Sequence, residues 1–287
     1  MGRLTMRRPV RRIRLDAGET RRIDTLAVEE PLEIRVGGQP LAVTMRTPGH
    51  DVELAAGFLV SEGVISSTDQ FRSAIHCGGP GTSGGGENTY NVLDVALASH
   101  VHVPVAELAR SMYTTSSCGI CGKASIDAVR TVSAFDVAED ATVVDAALLA
   151  TFPDALRAEQ AVFEKTGGLH AAALFDAHTG KLLVLREDVG RHNAVDKVVG
   201  WALLEGRLPL RGRVLMVSGR AGFELAQKAV MAGAPILAAV SAPSSLAVEM
   251  AADAGLTVVG FLRGPSMNVY AGFERVQVDA AAPVVTA

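Results

Sequence analysis

Apolar and polar residues follow two different patterns, one in the first third of the chain and one in its last half. Two β-rich runs, Pro31–Val36 and Leu41–Arg46, flank a Gly-Gly pair and predict a hairpin. A helix is expected over His50–Glu62, with a glycine just past its end. Further strands are expected at Ser73–Cys77 and Thr89–Leu97. These elements predict a small, β-rich α+β unit.

From Leu169 onward, strands and helices alternate regularly. The expected elements are a hairpin (Leu169–Phe175, Leu182–Arg186), three helix–strand pairs (Asn193–Leu204 with Arg213–Val217, Phe223–Ala232 with Pro235–Val240, Ser245–Ala254 with Leu256–Leu262) and a last strand at Val269–Val276. The paired strands are apolar throughout, as a sheet covered on both faces requires. Alternation implies right-handed crossovers. We therefore predict a three-layer α/β domain with a mixed, mostly parallel sheet, preceded by a helical stretch over Asp145–Lys165 that breaks near Pro153.

Composition excludes several classes of protein. Of the 287 residues, 48% are hydrophobic and 20% charged, and the net charge of −4 provides no basic field for nucleic acid. No run of 18 apolar residues occurs, so no membrane span is expected. Three cysteines are too few for a disulfide scaffold, which favours a reducing, cytoplasmic location.

Two segments have an unusual composition. The first 22 residues carry eight arginines, for which a disordered terminus is favoured over a basic arm that touches an acidic partner or a phosphate. Residues 78–86 are rich in glycine but lack the Gly-Lys-Ser/Thr ending of a phosphate-binding loop. We expect this second segment to be a flexible connection.

The segment Thr115–Gly122 carries the most informative chemistry. Cys118 and Cys121 stand three residues apart on a Ser/Gly-rich loop, before a helix expected to begin near Lys123. A helix N-terminus and a nearby lysine both favour a thiolate, and in such motifs the thiol pKa falls to roughly 3.5–7.5. The motif suits a redox pair, half of a metal site, or a sulfur relay.

Three strand ends carry small or cationic residues, namely Ser218-Gly219-Arg220, Ser241–Ser245 and Arg263–Ser266. Ligands of open α/β sheets bind at the carboxyl ends of strands, where N–H groups, hydroxyls and arginines hold phosphate oxygens. An extended anion or nucleotide site is therefore as well supported as ordinary helix caps. Arg191 and His192 follow another strand end. Roles as an oxyanion or phosphate ligand (Arg191) and as a proton shuttle or base (His192) are favoured over a solvated loop in which Asn193 caps the next helix.

For two other residues with reactive side chains, a role in packing is favoured over a role as a ligand. His170, at the start of a strand of small residues, is expected to be a packed, hydrogen-bonded residue rather than a ligand. Cys77, beside His76, is a candidate third metal ligand, but a small buried apolar residue is favoured.

Each chemistry considered for the cysteine loop requires other features of the chain, and these features distinguish the alternatives. A nucleobase deaminase needs His-x-Glu upstream and a proline before the first cysteine, and neither is present. A structural zinc site needs two more ligands at short spacing. A thioredoxin-like pair belongs near the start of a βαβ unit, whereas this loop lies between two predicted units. A sulfur relay needs a nucleophilic thiol, a second thiol and an acceptor pocket, and all three are expected here.

Several long motifs, in the right order, resemble those of the FdhD/NarQ family of formate dehydrogenase accessory sulfurtransferases. They are Thr44–Pro48 with Ser61–Gly63, Ser117–Gly122, Gly168–Ala172, Glu187–Lys197, Ser218–Arg220 and Val259–Arg263. The resemblance covers about residues 25 to 276, and only the arginine-rich head and the glycine-rich segment at 78–86 look particular to this chain.

The resemblance implies a sulfurtransferase with a cytidine-deaminase-like C-terminal domain that lacks the deaminase zinc site and holds no permanent metal. It implies that Cys118 carries a persulfide loaded by a cysteine desulfurase, and that Cys121 assists transfer or resolves the persulfide. The acceptor would be the Mo-bis(molybdopterin guanine dinucleotide) cofactor that activates formate dehydrogenase. The family's cofactor-binding stretch matches Phe261, Leu262, Arg263, Gly264, Pro265 and Ser266.

The resemblance further implies a homodimer. The expected organisation is a basic, disordered arm at 1–22, a β-rich domain at 23–110, a mobile cysteine loop at 111–122 and the α/β domain at 123–280. The alternative function is a non-catalytic chaperone that binds and inserts the cofactor.

Overall fold

The described part of the chain forms a four-stranded sheet, a six-stranded sheet, two two-stranded pairs and the helices packed against them. The computed structural model describes residues 4–77, 90–103 and 132–278. Its strands, numbered in chain order, are β1 (Thr5–Arg14), β2 (Gly18–Ala27), β3 (Glu30–Val36), β4 (Gln39–Arg46), β5 (Phe71–His76), β6 (Val92–Leu97), β7 (Val144–Asp145), β8 (His170–Asp176), β9 (Leu182–Asp188), β10 (Arg213–Val217), β11 (Ile236–Ala239), β12 (Thr257–Arg263), β13 (Ser266–Ala271) and β14 (Val276–Gln277). Its α-helices are α1 (Asp51–Ser61), α2 (Ala146–Leu149), α3 (Phe152–Ala158), α4 (Ala161–Thr166), α5 (Arg191–Leu204), α6 (Phe223–Met231) and α7 (Ser245–Ala254).

The arginine-rich head forms a hairpin, where the sequence predicts a disordered arm. Strands β1 and β2 pair antiparallel, from Thr5 opposite Ala27 to Arg14 opposite Gly18. The pairing satisfies backbone groups across the two strands, a contribution that composition does not reveal. We call residues 5–27 the basic ribbon.

The N-terminal sheet has the strand order β4-β3-β6-β5. The predicted hairpin is confirmed: β3 and β4 pair antiparallel, and Gly37 and Gly38 both have positive φ angles, 56° and 80°, as tight hairpin turns often require. Helix α1 is confirmed within one residue of its predicted bounds at each end. Its Leu54 and Leu59 are fully buried, as is Leu93 of β6.

The larger sheet has the strand order β13-β12-β11-β10-β8-β9. Strands β10, β11 and β12 are parallel neighbours, whereas β8 is antiparallel to both β9 and β10, and β13 is antiparallel to β12. The predicted mixed α/β fold is confirmed. Four strands, β9 to β12, point the same way, although most neighbouring pairs are antiparallel.

Helices cover both faces of this sheet. On one face, Leu174, Leu215 and Val217 share a core with residues of α1, α5, α6 and α7. On the other face, Phe175 and Met216 pack with Leu149, Phe152 and Leu156 of α2 and α3. The alternation of side chains along each strand therefore produces three layers, and the N-terminal sheet contributes Leu32 and Ile34 to the first core.

The helical stretch predicted at Asp145–Lys165 is three short helices rather than one interrupted helix. Asp145 caps α2, since its carboxylate accepts a hydrogen bond from Leu148 N at 2.8 Å. Pro153 stands in the first turn of α3, where a missing N–H costs nothing. Gly167, at φ 65°, ends α4. The last predicted strand is also divided, because Gly272 at φ 65° turns the chain between β13 and β14.

Helices α1 and α5 join the two halves at a very close crossing. A Cβ at Gly57 would lie 1.8 Å from the Asp196 carbonyl oxygen, and one at Gly200 would lie 1.8 Å from the Glu53 carbonyl oxygen. Only glycine permits this backbone approach. Among the described residues, no helix has the length and apolar character needed to cross a membrane.

Candidate functional site

The predicted strand ends meet at one edge of the large sheet. Because β9 to β12 point the same way, their carboxyl ends lie together, and the antiparallel β8 places its first residue at this edge as well. His170, which begins β8, pairs with Asp188, which ends β9. The sheet topology therefore places a histidine at the edge where the sequence predicts phosphate-binding residues.

Backbone contacts join the loops at this edge into a continuous row. Ser241 N donates a hydrogen bond to Gly219 O at 3.2 Å, and Phe261 N donates one to Ser241 O at 3.2 Å. A Cβ at Gly219 would lie only 3.4 Å from His170 Nδ1. The row therefore runs from His170 through Gly219 and Ser241 to Phe261, spanning four neighbouring strands.

Cationic side chains surround His170. Its half-buried position lowers its pKa most, and the positive charges of Arg191, His192 and Arg220 lower the pKa further, against the opposing effect of Asp188. His170 is therefore uncharged at neutral pH, when it can both donate and accept a hydrogen bond. The arginines leave the edge positively charged, which suits phosphate groups.

Glu224 holds His192 in place, a contact that the sequence did not suggest. The Glu224 carboxylate lies 2.6 Å from His192 Nε2, and both side chains are largely buried. Glu224 stands in the first turn of α6, four residues after Arg220. The pair is a carboxylate–imidazole arrangement of the kind that orients a proton-transferring histidine.

The three residues of the Ser218-Gly219-Arg220 segment have different roles. The Ser218 hydroxyl accepts a hydrogen bond from Ala171 N at 2.9 Å, and Ser218 N donates to Ala171 O at 2.9 Å, so Ser218 extends the pairing of β8 with β10. Gly219 makes room for the His170 ring. Arg220 is exposed and free to meet a ligand.

The Glu187–Lys197 segment is mainly a structural joint. Asp188 and Lys197 form a fully buried ion pair at 2.7 Å. Burial raises the pKa of Asp188, although Lys197 and hydrogen bonds from Gly190 and Asn193 oppose this effect. Glu187 accepts hydrogen bonds from the backbone at the start of α4. Of this segment, Arg191, His192 and Asp188 lie near enough to His170 to influence its pKa.

A loop of the N-terminal half closes around that joint. Thr47 N donates to Asp188 Oδ2 at 3.1 Å, and Lys197 Nζ donates to Thr47 O at 2.9 Å. Asn193 Nδ2 donates to Met45 O at 2.8 Å, while Asn193 Oδ1 accepts from the Thr44 hydroxyl. Two motifs that are about 140 residues apart in sequence are thus one polar assembly that holds α5 at the edge.

The stretch from Phe261 to Ser266 forms the end of β12 and its turn into β13. Phe261 has φ 50°, an uncommon value for a bulky residue, and the residue is 38% exposed. The Arg263 guanidinium lies 5.7 Å from the centre of that ring, and Arg263 Nε donates to Val240 O at 2.9 Å. Leu262, in contrast, is buried in the core and offers no side chain to a ligand. Gly264, Pro265 and Ser266 are exposed.

The two motif cysteines, Cys118 and Cys121, and the glycine-rich segment at 78–86 lie outside the described residues, so their roles stay predictions. Cys77 ends the strand predicted at Ser73–Cys77, with Cys77 N donating to Val92 O at 2.9 Å, and it is partly exposed rather than buried. Over residues 4–77, 90–103 and 132–278, no group of three His, Cys, Asp or Glu side chains is arranged to hold a metal ion.

Comparison with known proteins gives a consistent family assignment. The model of the FdhD/NarQ family matches residues 27–277. The sulfur carrier protein FdhD of Streptomyces avermitilis is 62% identical over 283 residues, covering 98% of this chain and 99% of the relative. The protein of the same name from Mycobacterium tuberculosis is 56% identical over 280 residues, covering 96% of this chain and all of the relative.

A solved structure shares the fold. A protein from Desulfotalea psychrophila, described as a formate dehydrogenase accessory protein, superposes with a TM-score of 0.73 at 23% identity, covering 96% of this chain and all of that one. The family match and the relatives extend over the motifs that form the strand edge and the polar joint behind it. The chain therefore belongs to the FdhD/NarQ family.

Proposed function

We propose that this protein is a sulfurtransferase that carries sulfur from a cysteine desulfurase to the Mo-bis(molybdopterin guanine dinucleotide) cofactor, as formate dehydrogenase maturation requires. One observation carries the proposal: relatives 56–62% identical across nearly the whole chain are named sulfur carriers. The cofactor is here a substrate, which accepts sulfur and leaves.

Cys118 would take up the sulfur. Its thiolate attacks the outer sulfur of the donor's persulfide, the S–S bond of the donor breaks, and the donor leaves as a thiolate. The exchange needs no external oxidant, because one persulfide replaces another. Attack by the Cys121 thiolate on the inner sulfur of Cys118 would then release sulfide for the acceptor and leave a disulfide, which a cellular thiol must reduce before the next turnover.

The strand edge would bind the acceptor. Arg191 and Arg220 supply positive charge for the phosphates of a dinucleotide, and neutral His170 and the His192–Glu224 pair supply hydrogen-bonding groups. The exposed Phe261 ring offers a flat apolar surface on which a base can stack. In this proposal Phe261–Ser266 and the Gly219 loop bind two parts of one extended anionic ligand.

The sulfur step is tested by replacing Cys118. Incubation with a cysteine desulfurase and ³⁵S-labelled cysteine should label the wild type on Cys118, mapped by mass spectrometry, and Cys118→Ala should lose both the label and formate dehydrogenase activation. Cys77→Ala is the matched control and should retain both. Full activation by Cys118→Ala would contradict sulfur carriage and favour a chaperone that only binds and inserts the cofactor.

The acceptor site is tested by replacing Arg220. Loss of one arginine–phosphate contact should weaken binding of guanosine diphosphate, as a fragment of the acceptor, by about tenfold in titration calorimetry. Arg157→Ala, which removes an exposed arginine paired with Glu164, should leave binding unchanged. Equal affinities for wild type and Arg220→Ala would place the phosphates elsewhere.

A further inference from the structure

The basic ribbon has a charge opposite to that of the rest of the molecule. Residues 5–27 contain seven arginines and three carboxylates, a net charge of +4, in a chain whose overall net charge is −4. Most of the ribbon's side chains are exposed. Strand β2 contacts α4 near the base of the ribbon, and the exposed outer part has the marginal stability of a two-stranded hairpin, which a bound partner would increase.

The pairing register divides the arginines between two faces. Residues directly opposite each other on paired strands point to the same side, and successive residues point to opposite sides. One side, which we call the Arg11 face, carries three arginines, one carboxylate and three apolar residues, namely Arg7, Arg11, Arg21, Glu19, Pro9, Ile13 and Ile23. The other side carries Arg8, Arg12, Arg14 and Arg22, together with Asp24.

The Arg11 face combines an excess of positive charge with exposed apolar surface. Arg11 lies directly opposite Arg21, an arrangement of like charges that destabilises a strand pair. The ion pair of Arg11 with Glu19, at 3.5 Å, is exposed and therefore weak. Ile13 and Ile23 are 58% and 55% exposed on the same side. A partner surface that is acidic at its centre and apolar on either side would relieve the repulsion and cover both isoleucines.

The base of the ribbon lies beside the strand edge of the large sheet. Val28 N donates to Leu4 O at 3.0 Å, and a Leu4 methyl group would lie 3.6 Å from a Cβ at Gly49, just before α1. On the other strand, a Cβ added at Gly168, two residues before His170, would lie 3.7 Å from the Ala27 Cβ. A protein docked on the ribbon would therefore approach the edge to which the acceptor is assigned.

We propose that the Arg11 face docks the protein that donates sulfur, through an acidic surface on that donor. The proposal rests on the proposed function, in which the acceptor is a small molecule and the donor is a protein, so that the donor must be recognised by a protein-binding surface. Arginine is enriched in such interfaces, and complementary charge speeds association.

Features of the ribbon favour a protein over a polyphosphate or an anionic bilayer. Asp16, Glu19 and Asp24 stand among the arginines and would repel a continuous line of phosphates. Leu15, at the tip, is fully exposed, but Asp16 follows it and forms an ion pair with Arg14, so the tip carries little net positive charge for an anionic membrane. Alternating charge with exposed aliphatic side chains suits a protein surface.

The test compares charge reversal on the two faces of the same ribbon. Arg11→Glu/Arg21→Glu should weaken binding to the cysteine desulfurase of the same organism by about tenfold or more, measured by titration calorimetry, and should reduce the salt dependence of binding. Arg12→Glu/Arg22→Glu, on the opposite face, is the matched control and should change affinity less than about twofold. Arg11→Lys/Arg21→Lys keeps the charge and should bind within a few-fold of the wild type.

A second readout separates docking from sulfur chemistry. Glutathione persulfide, a small donor that needs no docking surface, should load Cys118 equally well in the wild type and in Arg11→Glu/Arg21→Glu. Failure of the wild type to accept sulfur from either donor would contradict the proposed function. Calorimetric measurement of desulfurase binding would still test the role of the ribbon in that case.

Three results would overturn the docking proposal. The first is equal loss, or no loss, of affinity for the two charge-reversal variants. The second is a change of oligomeric state in Arg11→Glu/Arg21→Glu with desulfurase affinity kept, which would make a second copy of this chain the occupant. The third is Arg11-dependent binding to phosphatidylserine vesicles with desulfurase affinity unchanged, which would make the ribbon a membrane contact.

Discussion

At the scale of single residues, His170 illustrates how neighbours that are distant in sequence change the pKa of a side chain. The sequence favours a packed strand histidine, and the half-buried position agrees with packing. The sheet, however, also surrounds it with Arg191, His192 and Arg220, which lower its pKa after the larger effect of burial. The same residue is therefore both a packed strand residue and a neighbour of the proposed anion site.

A pH titration of stability tests this environment. An unfolded histidine takes up a proton near pH 6.5, whereas folded His170 does so only at lower pH. The unfolded state thus binds more protons as the pH falls below about 6.5, and the free energy of unfolding decreases there. His170→Gln should remove this contribution, so urea unfolding between pH 8 and pH 5 should show a shallower loss for the variant. Equal slopes would contradict the lowered pKa.

At the scale of elements, the crossing of α1 with α5 determines how the two halves meet. Gly57 and Gly200 bring the two backbones together, and Ser61 donates to Asp196 across the same contact at 2.7 Å. The crossing places Thr47 over Asp188 and Lys197, which in turn fixes the start of α5 at the strand edge. A pair of helical glycines, unfavourable by helix propensity, is here a packing requirement.

Gly200→Ala tests that requirement. Better helix propensity alone would stabilise α5 by about 1 kcal/mol, but the new Cβ would overlap the Glu53 carbonyl, and the helices would have to separate. We expect a loss of about 3 kcal/mol or more in the free energy of unfolding, measured with urea. Gly168→Ala, whose Cβ would come no closer than 3.7 Å to Ala27, is the control and should be nearly neutral. A stabilised Gly200→Ala variant would show that the crossing is looser than described.

At the scale of the whole molecule, one continuous core links the two sheets. Residues of β3, β6 and α1 pack in the same cluster as residues of α5, β10 and α6. Two halves that share a core lose packing together when either of them opens. The two parts predicted from the sequence as separate domains are therefore expected to unfold as one unit.

Leu54→Ala tests whether the two halves unfold together. Leu54 lies in α1, and truncation of a fully buried leucine costs about 2–5 kcal/mol. Trp201, the single tryptophan, lies in α5 and reports on the other half. Tryptophan fluorescence and far-UV circular dichroism should shift to the same lower urea midpoint, while Leu246→Ala, an exposed position in α7, should change neither. Separate midpoints for the two signals would indicate independent domains.

The sequence by itself determined the elements and the family. Apolar periodicity predicted β10 and α7 without error and most other helices and strands within a few residues, because local patterns decide which face each element buries. The ordered motifs predicted the FdhD/NarQ family, which the family match confirms. The alternation of strands and helices alone predicts that Ser218-Gly219-Arg220 and Arg191-His192 lie at strand ends.

Only the tertiary structure decided which of these residues meet. The antiparallel direction of β8 brings His170 to the edge, and the first turn of α6 brings Glu224 to His192, contacts between segments far apart in sequence that no local pattern encodes. Pairing across the chain likewise turned an arginine-rich head, whose composition predicts disorder, into a ribbon with two distinct faces. Composition and periodicity describe what each segment can bury, whereas strand direction and register decide which side chains share a site.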